Sequence, residues 1–266
     1  MVRKEGPTGL AAQLMEQIPD YESFDYSRVW RGRGIEDLAE RTLVSRWAVG
    51  ETGIELGGGF GRITAVLEDR IGRTFMLDYS LSNLRRASAR LRKTTLIRSS
   101  LDHLPFDDDV FDFVAIVRVI HHIPDPAPLL SEVVRVSRNG GTLVLGIHNE
   151  RDSGKVRVTR EGHRVYPTPL AKFTHSGLER VEIRGLGAFD NRLGRGAERL
   201  RPLATLDVKT SRLWPAKSML FVRFVVRKPE GRNDPLVRCE CGGAIIGGRC
   251  EGCGRSYDRI IDLVEG

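Results

Sequence analysis

Long apolar runs are missing from this 266-residue chain, in which no window approaches the roughly 18 to 20 unbroken apolar residues of a membrane-spanning helix. The opening stretch MVRKEGPTGLAAQLMEQIPD has neither a secretory apolar core nor a small-residue cleavage pattern. No membrane span is therefore expected, and the expected location is the cytoplasm. Cysteine is scarce as well: none occurs before Cys239, which excludes a disulfide-stapled scaffold for most of the chain. There is no internal repeat and no low-complexity tract. Hydrophobic residues at 40% and charged residues at 29% exclude a mainly disordered or fibrous chain.

Lysine is also rare, with 7 against 35 arginines, and the net charge of +7 is unevenly spread. Residues 151–228 hold 18 basic residues against 7 acidic ones, while the segments on either side are slightly acidic. Such an excess raises the local concentration of anionic partners: tRNA or rRNA, an anionic small molecule, or an acidic lipid surface. A solvated arginine-rich face would read the same way.

The length fits one α/β domain with a small appendage. Between 51 and 149, short apolar runs alternate with amphipathic stretches, the pattern of βαβ units. A first strand is predicted to end at Ile54-Glu55-Leu56, a helix to cover Ile63 to Arg70, and a second strand to run from Thr74 to Leu77 and end at Asp78. Ser80 can cap the next helix, with Leu81, Leu84, Ala87 and Leu91 roughly on one face. Further strands are predicted at Thr95–Ile97, Phe111–Val117 and Thr142–Ile147, with a helix over Pro128–Val136 stopped by Asn139-Gly140-Gly141. The fold expected is α/β, a doubly wound (Rossmann-like), mostly parallel sheet. Later, Glu161-Gly162 reads as a turn between Val156–Val158 and Val165-Tyr166, and Leu178–Ile183 and Met219–Val226 read as strands. The polar run at 229–235 reads as a linker. The organisation expected is thus a main domain over 1–228, with a ligand-binding half at 40–150 and a substrate-side half at 151–228, then the linker and a small module over 236–266.

A glycine-rich turn after the first strand lets the backbone approach a ligand at the carboxyl edge of a sheet. Gly57, Gly59 and Gly61 supply one here. The nicotinamide fingerprint wants another glycine where this chain has Arg62, so a pyrophosphate site is poorly supported. The spacing Glu55-x-Gly57-x-Gly59-x-Gly61 instead resembles the first motif of class I S-adenosylmethionine-dependent methyltransferases. Asp78, at the end of Phe75-Met76-Leu77-Asp78, matches that family's acid. Its two oxygens suit two hydroxyl donors at once. Arg98 to Phe106 resembles the family's Gly-Asp-Ala-x-x-Leu-Pro-Phe segment; aligned on Leu104-Pro105-Phe106, the family Asp falls on Ser100. Arg118-Val119-Ile120-His121-His122-Ile123-Pro124-Asp125-Pro126 is similar to the His-His-x-Pro-Asp-Pro signature of the type 11-like branch. That branch holds quinone, sterol and many small-molecule methyltransferases and some tRNA wobble-uridine enzymes. Arg135 to Leu143 resembles the segment preceding the fifth strand.

The resemblance covers about residues 50–150 and implies S-adenosyl-L-methionine as cofactor. It puts the glycine loop around the amino-acid end, Asp78 on the ribose hydroxyls, and Ser100 with the Leu101 backbone at the adenine. With Glu55 and Arg118, these are the expected cofactor contacts. Arg33 is a further candidate, for the carboxylate of the methionine moiety; a surface helix entry anchored by Trp30 is the alternative. His121 and His122 could include a general base, or simply shape the wall at the end of the fourth strand. Displacement at a reactive sulfonium rests mainly on alignment and desolvation, so an obligatory base is not implied. The remaining histidines, His148 among them, carry no pattern.

The four cysteines stand as Cys239-x-Cys241 and Cys250-x-x-Cys253, separated by eight residues, which suits a tetrahedral zinc site of two knuckles. Disulfides or unligated thiols are the alternatives. The segment resembles the small zinc-ribbon proteins that activate RNA and protein methyltransferases, through Gly254 to Leu263. The function expected is methyl transfer to an unidentified acceptor, a small molecule or lipid or an RNA, with protein a further option. A non-catalytic cofactor- or nucleic-acid-binding module, its site weakened at Ser100, is the alternative.

Overall fold

The computed structural model describes residues 22, 25–149, 157–158, 164–166, 169–187, 197–212, 219–228, 237–239, 241–246, 248–257 and 260–262. A 3-10 turn, Tyr26–Trp30, begins where the Asp25 carboxylate accepts from Ser27 N, and leads into helix α1 (Gly34–Trp47). Then come β1 (Thr52–Leu56), α2 (Thr64–Glu68), β2 (Arg73–Asp78), α3 (Leu81–Arg90), β3 (Thr95–Arg98), β4 (Phe111–Val117), α4 (Ala127–Val136) and β5 (Ser137–His148). The later elements are β6 (Arg157–Val158), β7 (Arg164–Val165), β8 (Leu178–Leu186), α5 (Ala197–Lys209), β9 (Met219–Val226), β10 (Val237–Arg238), β11 (Ala244–Ile246), β12 (Arg249–Cys250) and β13 (Ile260–Asp262). Among the described residues no helix is long and apolar enough to cross a membrane.

The main sheet runs β13-β3-β2-β1-β4-β5-β9-β8. Strands β1 to β5 are mutually parallel, β9 is antiparallel to β5, and β8 is antiparallel to β9. The chain winds outward from β1 to β3 and returns at β4, so the doubly wound fold is the one expected. The crevice between β1 and β4 is the switch point at which open α/β sheets take ligands. Helices cover both faces, which is why β1 is buried at every residue, Thr52 and Glu55 included. Leu143, Leu145 and Ile147 of β5 share one core with Leu130 and Val133 of α4; Val144 shares the other with Ala39 and Leu43 of α1 and Ala204 and Val208 of α5. Phe75, Phe106 and Phe111 meet edge to face, with centroids 4.8 to 6.1 Å apart.

Several boundaries differ from the sequence expectation for local reasons. Helix α4 ends at Val136 and β5 starts at once, so Asn139-Gly140-Gly141 lies inside the strand instead of stopping the helix. There it makes a bulge: Phe111 faces Ser137, but Phe113 faces Thr142, and Gly140 takes φ +79°. Helix α2 is short, and β8 continues to Leu186. Helix α5 was not among the expected elements, and it continues through Pro202. The β6–β7 pair forms, while the Glu161-Gly162 turn and the 229–235 linker lie outside the described residues.

The C-terminal segment is built into the main domain. Strands β10 to β12 make a small antiparallel sheet, and Val237 bridges to Phe106. Val237, Cys239, Ile245 and Cys250 join the apolar cluster that holds Phe75, Phe106 and Phe111. Strand β13 then pairs in parallel with β3, Ile260 opposite Leu96 and Asp262 opposite Arg98. A segment this small cannot bury enough surface alone, and here it shares the core of its neighbour.

Candidate functional site

After β1 the backbone enters the loop with Gly57 at φ +71°, Gly59 at +57° and Gly61 at +78°, a left-handed conformation that strains any other residue. Gly57 N and Gly58 N both donate to Leu77 O, at 2.7 and 3.2 Å, which ties the loop to the end of β2. A Cβ on Gly57 would lie 2.5 Å from Val119 and one on Gly61 2.9 Å from Leu91, so packing also enforces these glycines. Gly59 differs: nothing lies within 4 Å of where its Cβ would stand.

Asp78 sits beside that bare backbone. One carboxylate oxygen accepts from Gly59 N at 2.7 Å and the other from Ser80 N at 2.9 Å. Burial raises its pKa, against the pull of these two N–H donors. Glu55 lies beneath the loop, 3% exposed, and accepts from the Thr64 hydroxyl. Burial pushes it up to about 7, opposed by Thr64 and Arg62.

Beyond β3, the Ser100 hydroxyl donates to the Asp102 carboxylate at 2.7 Å, and Asp102 N donates back to it at 3.2 Å. A carboxylate therefore stands in this segment, two residues later than the motif puts it. Leu101 is half-buried against the core. Arg135 fixes the far end, donating to the carbonyls of Leu104 and Phe106 and to Glu132 and Asp108 at 2.7 to 2.9 Å.

Arg118, directly after β4, takes φ +61°, a strained conformation for a side-chain-bearing residue. Its guanidinium binds Glu36 and, at 2.6 Å, Glu40 of α1. Glu40 is fully buried and also receives Arg62 at 2.5 Å. Burial alone would raise Glu40, but Arg118 and Arg62 outweigh it and hold the carboxyl below its ordinary range. The Trp30 ring lies 3.6 Å from the Arg62 guanidinium and 5.0 Å from that of Arg118. Arg33 stands at the start of α1, 3.7 Å from Glu36. The network fastens the 3-10 turn and α1 onto the end of the glycine loop, and gives Arg62 its purpose.

The histidines after β4 gain a third member. His121 packs against His122 at 4.1 Å between centroids and against His148, the last residue of β5, at 4.6 Å. His121 is 5% exposed, and its Nδ1 is buried with no hydrogen-bond partner among the described residues. Burial, then the neighbouring rings and Arg118, hold it well below the ordinary imidazole value. Parallel pairing of Val117 with Gly146 causes this meeting, because it brings both strand ends to one edge. No motif marks His148, and the alternation of Val144, Gly146 and His148 on one sheet face is the only sequence signal.

The thiols of Cys239, Cys241, Cys250 and Cys253 all lie within 4.8 Å of one another and could hold a metal ion. Cys239 and Cys253 are 3.6 Å apart at sulfur, and Cys241 and Cys250 are 3.4 Å apart. Tyr257 OH donates to Cys239 Sγ at 3.0 Å and is the largest cause of that thiol's fall to about 6. A Cβ on Gly243 would come within 2.8 Å of Cys250 Sγ, so small residues are needed for the knuckles to close.

Residues 54–145 match the type 11 family described as a methyltransferase domain. The chain is 27% identical over 156 residues to the phosphatidylethanolamine N-methyltransferase of Cereibacter sphaeroides, covering 56% of this chain and 76% of that protein. It is 29% identical over 135 residues to the demethylmenaquinone methyltransferase of Staphylococcus aureus, covering 48% of this chain and 53% of that protein. It thus spans about half the length of the latter. A chain of the complex between the Haloferax volcanii Trm112 methyltransferase activator and a methyltransferase shares the fold, with a TM-score of 0.57 at 23% identity over 77% of this chain and 97% of that one. The family match takes in the glycine loop, Asp78 and both strands of the switch point, so residues 54–145 match a methyltransferase domain at the very segment that forms the candidate site.

Proposed function

We propose that the chain is an S-adenosylmethionine-dependent methyltransferase acting on a small-molecule or lipid acceptor, with its cofactor in the crevice between β1 and β4 and one zinc ion on its four cysteines. The observation that carries the cofactor placement is Gly59, whose open backbone abuts the buried carboxylate of Asp78 at 2.7 Å. The cofactor supplies a reactive methyl sulfonium; the chain's part is alignment and exclusion of water. In this reading Gly57, Gly59 and Gly61 wrap the amino-acid end, and Asp78 takes the ribose hydroxyls. Ser100 and Leu101 meet the adenine, with Asp102 supplying the carboxylate that Ser100 displaces from the motif. Arg33, 39% exposed at its side chain, is the freer cation for the methionine carboxylate. Arg118 and Glu55 hold the pocket's walls.

Two relatives named for lipid-type acceptors, phosphatidylethanolamine and demethylmenaquinone, support the acceptor class. For the thiols, zinc–sulfur bonds of about 2.3 Å in a tetrahedron put sulfurs about 3.8 Å apart, close to the observed pairs. A methyltransferase related in fold is found in complex with an activator, and the pairing of β13 on β3 supports reading the C-terminal segment as a built-in stabiliser. The cytoplasm remains the proposed location.

Calorimetric titration with S-adenosylmethionine and S-adenosylhomocysteine tests the cofactor site: saturable binding of both is expected, and binding of neither refutes it. Labelled cofactor incubated with fractionated cell extract tests the acceptor, with label expected in the lipid or small-metabolite pool. The exposed Arg201 and Lys209 of α5, within the basic stretch, favour RNA as a second reading. Salt-dependent binding of bulk tRNA, abolished by charge reversal at Arg192, Arg195, Arg199 and Arg201, would establish that reading in place of the first. Metal analysis giving clearly less than about one zinc per chain contradicts the four-thiolate site.

A further inference from the structure

We propose that His148, and not the motif histidine His121, is the group that meets the acceptor and takes its proton. This rests on the methyl-transfer reading above and adds a residue that no motif marks. His121 is poorly suited to the task, since its ring lies under its neighbours and its Nδ1 is sealed from solvent. His148 is partly exposed and stands against the His121 ring at 4.6 Å, at the carboxyl end of β5. That end borders the crevice. Val117, the last residue of β4, pairs with Gly146, and Val119 packs against Gly57 of the cofactor loop. Arg33 at the start of α1 and Glu40 within α1 stand close enough to His148 to act on its charge.

The charges around the ring keep it neutral. Burial first, then Arg118, His122 and Arg33, together bring its pKa down to about 4, with Glu40 alone opposing them. At neutral pH the imidazole therefore holds a free lone pair and carries no charge to repel the sulfonium. In the step, the acceptor X–H forms a bond from X to the methyl carbon while the carbon–sulfur bond breaks and its electron pair stays on sulfur. The proton of X–H passes to the imidazole and then to water. A base of this strength suits a hydroxyl-type acceptor, whose methylated oxonium is far more acidic than the imidazolium it would form.

The test compares wild type with His148→Gln, His148→Asn and His121→Gln. Methyl transfer is measured to the extract pool that takes label in the wild type, across pH 6 to 9 at saturating S-adenosylmethionine, with S-adenosylmethionine affinity measured by calorimetry on each protein. Both His148 variants are expected to bind the cofactor within about twofold of wild type yet lose about 10²-fold or more in rate, a loss that narrows as pH rises. His121→Gln is expected to lose far less at constant cofactor affinity. In protein carrying 15N-labelled histidine, the His148 ring nitrogens should stay in the neutral range down to about pH 5. His148 variants within about threefold of wild-type rate, a pH-independent loss, or a ring that titrates like free imidazole each overturn the assignment. A wild type that binds cofactor but whose His148 variants stay active removes only this inference; a wild type that binds no cofactor removes the underlying reading.

Discussion

Replacing Glu40 with Gln removes one charge from the best-buried ion network in the described chain while keeping its shape. Side-chain exposure is 0% for Glu40, 7% for Arg62 and 14% for Arg118, so solvent screens these pairs little. Breaking a buried pair by neutralising one partner costs about 3–5 kcal/mol, because the other charge stays buried. Each arginine here keeps a second carboxylate, Asp37 for Arg62 at 3.0 Å and Glu36 for Arg118, so the lower end, about 3 kcal/mol, is expected. For a domain of this size that is roughly a 6–12 °C fall in Tm. The sign with pH follows from the lowered Glu40 pKa: the stabilisation is fully present above its ordinary value of 4.5 and is lost as pH falls below it. Calorimetric melts of wild type and Glu40→Gln should therefore differ at pH 7 and converge in acid. The Arg227–Glu179 pair, with side chains 58% and 52% exposed, provides the control, and Arg227→Gln should stay within about 1 kcal/mol. A Glu40→Gln loss no larger than that control would refute the argument that the network holds α1 in place.

Asp78→Asn should weaken S-adenosylmethionine binding by about 10- to 100-fold in calorimetry, because an amide NH2 must face either Gly59 N–H or Ser80 N–H where a carboxylate oxygen accepted. Glu55 titrates with the opposite sign to Glu40. Its folded pKa, about 7, lies above its ordinary 4.5, so stability is fully present below 4.5 and is lost as pH rises through 7, by up to about 3 kcal/mol. Glu55→Gln, whose carbonyl still accepts from Thr64, should match wild type near pH 5 and exceed it at pH 8 in denaturant melts; equal stabilities at both pH values would contradict the burial argument. Chelating the zinc proposed for the four thiols should lower Tm and speed amide exchange at Val237, Ile245 and β13, and also at Phe106; protection unchanged at Phe106 would show that the C-terminal segment does not brace the main domain.

The strands of the first half were readable because short apolar stretches, Phe75 to Leu77 of β2 and Phe113 to Val117 of β4, and Ile54 and Leu56 of β1, stand between turn signals, as a sheet buried on both faces requires. Gly57, Gly59, Gly61 and Asp78 were readable for a different reason: backbone conformation and hydrogen bonding at a strand end demand those residue types within a short span. Contacts between distant segments were not readable. Glu40, Arg62 and Arg118 come from three separate elements, and His148 meets His121 only through strand pairing. Helix α5 was not read from the sequence; it runs through Pro202, where burial of Ala204 and Val208 in the core they share with α1 overrides that residue's low helix propensity. Ser100 looked like the loss of a carboxylate, and its hydrogen bond to Asp102 depends on a local turn that alignment to a motif does not represent.

The eighth strand has a consequence for how the chain is made. Among the described residues strand β13 follows every other strand in chain order, yet its partner β3 is laid down among the first. As the protein leaves the ribosome, the β3 edge therefore stays unpaired, with Leu96 and Ile97 between open backbone groups, until translation reaches residues 260–262. An open edge of this kind invites pairing with another nascent chain. Failure of the cysteine segment to close would thus show first as insoluble protein, before any change in the chemistry of the finished enzyme could be measured.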